Sequence, residues 1–307
     1  MKLSVSISPI WRKYGLSEAQ IWQEMKNCGF DHADIDFCPE NCCGWMNGSA
    51  AEWAEDFRLQ MQQIGISPVS AHIAGFDPLT HDGFESIARA VRCCGALDIE
   101  TAVIPLGWRE NNTRREYEEA NKAYLRKLLP VAEEAGVTLL IEACGSWLQP
   151  QYMHHAIELM RMLEKLNMPP HLKVNLNIAN MTAADIRPYT ELHLLGNTVY
   201  HVDAADNFGS MPLAVHPERE QLGFAPLMGY TNYDAVMQGL CEAGYDGFFN
   251  LRMNMPAVFE KNSPYCESRL AVMPKALTAR LLIWSRHAAE HILRSYDCLS
   301  SEKEDAE

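Results

Sequence analysis

Short apolar segments alternate along this chain of 307 residues with stretches whose apolar residues are spaced by three and four. The segments have the length of buried strands, and the intervening stretches have the spacing of amphipathic helices. Strand and helix alternating with a repeat of roughly 30 residues is typical of a (β/α)8 barrel. We therefore predict an α/β fold, a (β/α)8 TIM barrel in a single domain over residues 1–298, followed by an acidic tail over residues 299–307. The predicted strands cover residues 3–7, 33–37, 68–73, 101–106, 138–142, 172–177, 198–203 and 247–253.

Local signals support this alternation. Ser17 to Gln20 and Thr113 to Glu116 have the spacing of capping boxes, which predict helix starts. A doubly wound open sheet is the alternative fold. A doubly wound sheet that binds a nucleotide has a glycine-rich turn after its first strand, whereas this sequence reads Ser-Pro-Ile-Trp over residues 8–11. The connection over residues 204–232 is unusually long and predicts a functional loop.

Charge and composition exclude several classes of partner. Lys and Arg total 26 against 40 Asp and Glu, which gives a formal charge of −14. This acidity argues against binding to nucleic acid or to an anionic membrane surface. No apolar run approaches the ~18 residues of a membrane span, and the first residues lack a signal-peptide pattern. The ten cysteines lack paired metal-site spacing, so we expect mostly reduced, buried thiols and a cytoplasmic protein.

Polar residues gather at the ends of the predicted strands. Residues 137–141 form a continuous apolar run that ends on Glu142, as expected of a strand buried on both faces. Alternate residues of a barrel strand point inward, and active sites lie at the C-terminal ends of the strands. This parity predicts that one group of side chains converges there: His72, Glu142, Asn177, His201, Asp203, Asn250 and Arg252. The structural alternatives are a hydrogen-bonded core role for His72, a loop cap for Asp203, and an internal counter-ion for Arg252.

Tryptophans occur just beyond several predicted strands, at Trp11, Trp45, Trp108 and Trp147. Exposed aromatic faces are typical of sites that bind something. Flat rings above a polar floor suit a sugar or polyol, whose C–H face stacks while its hydroxyls form hydrogen bonds. Alternatively, these rings pack loops together or form a homo-oligomer interface.

Several motifs occur in a recognisable order: Ile-Glu142, then Leu-Asn177-Ile-Ala-Asn180-Met, then Tyr-His201-Val, then Gly-Tyr-Asp-Gly-Phe over residues 244–248. Together they resemble the xylose-isomerase-like superfamily, which includes sugar isomerases, tagatose-type epimerases and AP-endonuclease-type nucleases. The resemblance implies a divalent metal (Mn, Mg or Zn) held by Glu, Asp, His and Glu on strands five to eight. Glu142 and His201 match this set, whereas Asn177 and Asn250 stand where carboxylates are expected. His72 matches a strand-three histidine of the superfamily.

The two amides weaken the implied metal site. A charge pair at 4 Å contributes ~4 kcal/mol at an effective dielectric of ~20, so losing two carboxylates lowers affinity for a cation. Two hypotheses therefore stay open. One is an isomerase or epimerase for a small unphosphorylated sugar, polyol or keto acid, with Glu142 as base and His201 or Arg252 as electrophile. The other is a non-catalytic relative, without a metal, that binds a sugar-like ligand or serves as a subunit of a larger complex.

Overall fold

Eight parallel strands close into a barrel. A computed structural model describes residues 1–6, 14–39, 44–143, 153, 155–183, 186–207, 222–253 and 274–300. The barrel strands are β1 (Lys2–Ser6), β2 (His32–Phe37), β3 (Ser67–Ile73), β4 (Thr101–Val103), β5 (Thr138–Glu142), β6 (Leu172–Asn177), β7 (Val199–Ala204) and β10 (Phe248–Leu251). Neighbouring strands follow the order β1-β10-β7-β6-β5-β4-β3-β2 round the barrel. This closed sheet confirms the predicted (β/α)8 barrel and excludes the open doubly wound sheet.

Helices follow the strands and cover the outside of the barrel. They are α1 (Glu18–Asn27), α2 (Ala50–Ile64), α3 (His81–Ala96), α4 (Arg114–Ala135), α5 (Ala156–Lys165), α6 (Ile178–Ala183), α7 (Pro188–Leu195), α8 (Tyr233–Glu242) and α9 (Lys275–Ser295). Both predicted capping boxes form. The hydroxyls of Ser17 and Thr113 accept the backbone N–H groups of Gln20 and Glu116, respectively. In return, the side chains of Gln20 and Glu116 accept the backbone N–H groups of Ser17 and Thr113. These bonds satisfy helix donors that would otherwise lack partners.

The fourth strand is shorter than predicted. Residues 101–106 were expected to be extended, but β4 ends at Val103. Ile104 still donates its N–H to Leu140 O at 2.9 Å. Pro105 has no N–H to continue the ladder, so regular pairing stops before it.

The long connection over residues 204–232 begins and ends with ordered structure. β8 (Asp206–Asn207) pairs antiparallel with β9 (Leu222–Phe224), and residues 208–221 lie outside the described part. The Asp206 carboxylate accepts the N–H groups of Asn207, Gly229 and Thr231 at 2.8–3.0 Å. Asp206 therefore holds the two ends of this connection together.

Met1 and the segment that follows α9 meet at the N-terminal side of the barrel. The Met1 ammonium donates to Cys298 O at 2.6 Å and to Ser300 Oγ at 3.1 Å. Residues 301–307 lie outside the described part, so the acidic tail stays a prediction. The cysteines are less uniformly buried than expected, because Cys241 is exposed and its Sγ lies 3.1 Å from that of half-buried Cys298.

Within the described ranges, no helix has both the length and the apolar character needed to cross a bilayer.

Asn121 fixes the loop that follows β4. Its amide lies on α4, is fully buried, accepts Gly107 N–H at 2.7 Å, and donates to Gly107 O at 2.8 Å and Tyr117 O at 3.0 Å. Replacing it with a smaller apolar side chain leaves these backbone groups unpaired in the interior.

We expect Asn121→Ala to lower the free energy of unfolding by about 2 kcal/mol, because buried polar groups lose their partners. Urea unfolding followed by circular dichroism measures this change. Asn47→Ala, at an exposed position, is the matched control and should stay within about 0.5 kcal/mol of wild type. Equal effects of the two substitutions would contradict the structural role of Asn121.

Candidate active site

Polar side chains from five strands meet at the C-terminal end of the barrel. His72 lies near the end of β3, Glu142 ends β5, Asn175 lies in β6, and Asp203 lies in β7. The register pairs Glu142 with Asn175 across β5 and β6, and Asn250 with Asp203 across β10 and β7. Neighbouring strands therefore bring these residues to one level of the barrel, where β6 contributes Asn175 rather than the expected Asn177.

His72 lies between two carboxylates. Its Nδ1 is 2.9 Å from Asp34 Oδ1, its Nε2 is 2.9 Å from Asp203 Oδ2, and its side chain is buried. Burial opposes the charged ring, as does the nearby Arg252 cation. Asp34 and Asp203 outweigh both and raise the pKa of His72 to about 10. His72 is therefore a buried cation at neutral pH in the metal-free protein.

Asp34 is a central residue that the sequence analysis missed. Its fully buried carboxylate accepts hydrogen bonds from Ser6 Oγ at 3.1 Å and Ser70 Oγ at 2.6 Å, besides its contact with His72. Although burial acts to raise it, the pKa of Asp34 is lowered by His72 and Arg252. The signal was present, because Asp34 and Asp36 alternate in the second predicted strand and therefore share its inner face.

Asn175 bridges the carboxylates of Glu142 and Asp203. Its Nδ2 donates to Glu142 Oε2 and to Asp203 Oδ2, both at 2.8 Å. Burial and the negative charge of Asp203 raise the pKa of Glu142, against the influence of His72 and Arg252. Glu142 is half-buried, so it is both accessible and easier to protonate than an ordinary glutamate.

Asn250 anchors Asp203 from the opposite side. Its Nδ2 donates to Asp203 Oδ1 at 2.7 Å and to Ser6 Oγ at 3.0 Å, and its Oδ1 accepts from Ser4 Oγ at 3.1 Å. Burial alone would raise the pKa of Asp203, but His72 and His201 hold it well below the usual range. Asp203 therefore stays ionised.

His201 lies beside this network without completing a hydrogen bond at Nε2. That atom is 3.6 Å from Asp203 Oδ1 and 3.9 Å from Asp34 Oδ2, and the ring is buried. Among the described residues, neither His201 Nε2 nor Asn175 Oδ1 has a hydrogen-bond partner. Buried polar atoms without partners are costly, so both favour a ligand or a water that supplies the missing contact.

One group of donors could hold a metal ion. Ligand atoms of His72, Glu142 and Asp203 lie within 4.8 Å of one another. Asp34, bonded to the opposite nitrogen of His72, holds the imidazole as carboxylates commonly do behind a metal-bound histidine. The sequence analysis paired Glu142 with His201, whereas the structure groups it with His72 and Asp203.

The comparison with protein families decides the classification. A profile described as the xylose isomerase-like TIM barrel matches residues 22–273, most of the chain. The protein belongs to this family. A comparison with curated protein sequences found no match.

Solved structures similar to this family member are sugar epimerases and related proteins. A D-tagatose 3-epimerase-like protein has a TM-score of 0.72 at 17% identity, covering 97% of this chain and 98% of the other. D-Psicose 3-epimerase of Clostridium cellulolyticum H10, with D-tagatose, gives 0.72 at 12% identity, with 95% and 99% covered. IolI with a bound zinc atom gives 0.69 at 19% identity, with 96% and 99% covered. At these identities the similarity establishes the fold.

The two asparagines that depart from the pattern expected of the xylose isomerase-like family have different surroundings. Asn250 is fully buried among hydrogen-bond partners. Asn177 is half-buried, and its Oδ1 accepts the N–H of Asn180 at 3.0 Å, at the start of α6. Asn177 thus acts as a helix cap.

The predicted row of tryptophans is only partly in place. Trp45 is 1% exposed and its ring packs edge-on against Phe37 and Phe76 at 5.1 and 5.9 Å. It is therefore a core residue, and the expectation that it offers an open surface to a sugar is corrected. Trp108 is half-buried in the loop that Asn121 fixes. Trp11 and Trp147 lie outside the described residues.

We expect Asn250→Asp to lower the free energy of unfolding by about 3 kcal/mol, because it places a carboxylate against ionised Asp203 and removes two donated hydrogen bonds. Asn177→Asp is the matched control and should change stability by less than about 0.5 kcal/mol, since aspartate caps a helix as well as asparagine does. Urea unfolding of metal-free protein at pH 7 measures both. Similar losses in the two variants would contradict the assigned role of Asn250.

Proposed function

We propose that this protein is a sugar isomerase or epimerase that moves a proton at the carbon next to a carbonyl, with Glu142 as the base. The observation that supports this most directly is the contrast among the three grouped residues. His72 and Asp203 are buried, whereas Glu142 is half-buried and has a raised pKa. A base that is accessible and titrates closer to neutral pH than an ordinary glutamate suits removal of a carbon-bound proton.

Removal of that proton places negative charge on the carbonyl oxygen. His72 is positively charged when no metal is bound, and His201 Nε2 has no hydrogen-bond partner among the described residues. His72 on β3 and His201 on β7 lie on opposite sides of β5, which bears Glu142, and each is separated from it by one strand. Fixed cations and N–H donors stabilise such a charge best inside a site that excludes water.

A divalent cation fits the same residues. His72, Glu142 and Asp203 are the side chains that would hold it, with Asp34 fixing the ring of His72. The unpartnered Asn175 Oδ1 beside them adds a further oxygen. When bound, such an ion supplies Lewis acidity toward a carbonyl oxygen. The zinc atom in the structure of IolI shows that a protein of similar fold binds a divalent cation.

The class of substrate follows from the relatives and from the chemistry of the polar layer. Two of the similar solved structures are named for epimerases of the unphosphorylated sugars D-tagatose and D-psicose. Carboxylates and amides such as those in this layer form hydrogen bonds with hydroxyl groups. We therefore propose a small sugar or sugar derivative that carries a carbonyl.

We expect Glu142→Gln to slow turnover by roughly 10³-fold, because the base is lost while the shape of the side chain is kept. The assay follows deuterium uptake from solvent next to the carbonyl of D-tagatose, D-psicose, D-fructose and their acids, with mass-spectrometric detection. Glu110→Gln, at an exposed position in the loop after β4, is the control. Turnover by Glu142→Gln at the wild-type rate would exclude Glu142 as the base. Wild-type protein that binds sugars without any exchange would favour the non-catalytic alternative.

Removal of the metal ligands gives an independent readout. We expect the purified protein to retain about one equivalent of divalent metal per chain, and His72→Ala to retain almost none. Asp34→Asn should weaken binding by roughly 10- to 100-fold, because it acts only by orienting His72. Elemental analysis and Mn²⁺ and Zn²⁺ titration measure these changes, with exposed His193→Ala as control. Wild-type protein that fails to bind either ion would contradict the assignment of the three ligands.

A further inference from the structure

Two nitrogens of the Arg252 guanidinium, Nη2 and Nε, form no hydrogen bond with the described residues. Arg252 follows β10 directly, and its contacts all involve Nη1: Ser6 Oγ at 3.2 Å, Asp34 Oδ1 at 3.4 Å and Asp36 Oδ1 at 3.1 Å. Within the described part of the chain, Nη2 and Nε have no hydrogen-bond partner, and the side chain is 29% exposed. One nitrogen is thus directed at the protein, and two are available to a ligand.

The existing contacts do not saturate this guanidinium. Charge-assisted N–H···O bonds are usually about 2.7–2.9 Å long and often pair two nitrogens with both oxygens of one carboxylate. The contacts to Asp34 and Asp36 are longer and share a single nitrogen. A purely structural counter-ion would be expected to present its forked edge to one of these acids. In Arg252 the edge formed by Nη2 and Nε contacts neither acid.

The charge of Arg252 is also permanent. Burial acts against the charged form, but Asp36, Asp203 and Asp34 raise the pKa above its already high value. An always-charged planar fork is the side chain best suited to a carboxylate, whose two oxygens match its two donors. A neutral sugar has only hydroxyl groups to offer at the same place.

The barrel order separates Arg252 from the proposed base. β10 and β5 are three positions apart round the barrel, with β7 and β6 between them. One short ligand can therefore place one end at Arg252 and a carbonyl-bearing carbon near Glu142. A ligand that contacts both residues therefore carries its anionic group and its reacting carbon at different positions.

We propose that Arg252 binds a carboxylate of the substrate, and that the substrate is a sugar acid with a keto group. The assignment of the reacting carbon rests on the proposed function, whereas the assignment of the carboxylate rests on Arg252 alone. A monoanion is favoured over a phosphate dianion, because Asp34, Asp36 and Asp203 lie near Arg252 and His72 and repel added negative charge.

Calorimetric titration with matched pairs of sugars tests the inference. The probes are D-tagaturonate against D-tagatose and D-fructuronate against D-fructose, with D-fructose 6-phosphate as the phosphate probe. Wild-type protein should bind at least one acid roughly 10- to 100-fold more tightly than its neutral partner, the range expected of a hydrogen-bonded charge. Arg252→Gln should remove this preference and leave affinity for the neutral sugar within about 3-fold.

Two further variants keep the test decisive. Arg252→Lys retains the charge without the fork and should lose part of the preference, even if Arg252→Gln fails to fold. Arg109→Gln removes a half-exposed arginine from the loop after β4 and should leave the preference unchanged. A preference that persists without Arg252, a phosphate bound more tightly than the acids, or no binding of either acid at millimolar concentration would each overturn the inference.

The same titrations separate this inference from the proposed reaction. Glu142→Gln should still prefer the acid, because its carboxylate lies at the other end of the ligand. If Arg252 controls the preference while Glu142→Gln retains full deuterium exchange, the proposed base is wrong and the carboxylate site stands. If Glu142→Gln abolishes exchange while neutral sugars bind best, the proposed base stands and the carboxylate site is wrong.

Discussion

The site depends on one buried chain of charges, in which His72 connects Asp34 with Asp203. These residues come from β2, β3 and β7, so the chain crosses the interior of the barrel. Ions taken out of water cost several kcal/mol each unless their partners and hydrogen bonds are complete. Here serine hydroxyls complete Asp34, and the amides of Asn175 and Asn250 complete Asp203. Because an incomplete set would be costly, the neighbouring side chains have little freedom to move.

This constraint explains why the polar layer, formed by Asp34, His72, Asn175, Asp203 and Asn250, differs in composition from an ordinary barrel interior. Barrels are usually filled with branched apolar side chains, and here the strands instead supply serine, asparagine, aspartate and histidine at successive inward positions. Apolar burial is supplied by the layer between strands and helices, where residues such as Trp22, Phe57 and Ile87 are almost fully buried. Stability thus comes mainly from outside the sheet, which leaves the inside available for chemistry.

Sequence periodicity was sufficient for the fold and for most of the polar layer. Strand and helix periods are local properties, and inward parity follows from them, so His72, Glu142, Asp203 and Asn250 could be found without coordinates. Asp34 obeys the same rule, but it lies in the middle of β2 and matches no residue of the metal-binding pattern that the resemblance implies. Trp45 could not be predicted correctly, since its burial depends on Phe37 and Phe76 packing against it across separate segments. Contacts between distant segments leave no period in the sequence.

The amide at position 250 now has a physical reason that the family pattern alone conceals. Read as a lost carboxylate, Asn250 suggested a weakened site. In the structure its Nδ2 donates to Asp203 and Ser6 at once, which no carboxylate can do when ionised. A second negative charge there would also face ionised Asp203, whose pKa is held low against burial by His72 and His201. Asn250 therefore gives Asp203 a hydrogen bond in place of a second negative charge. In this chain, the charge that acts on the proposed base is that of Asp203, which together with burial raises the pKa of Glu142.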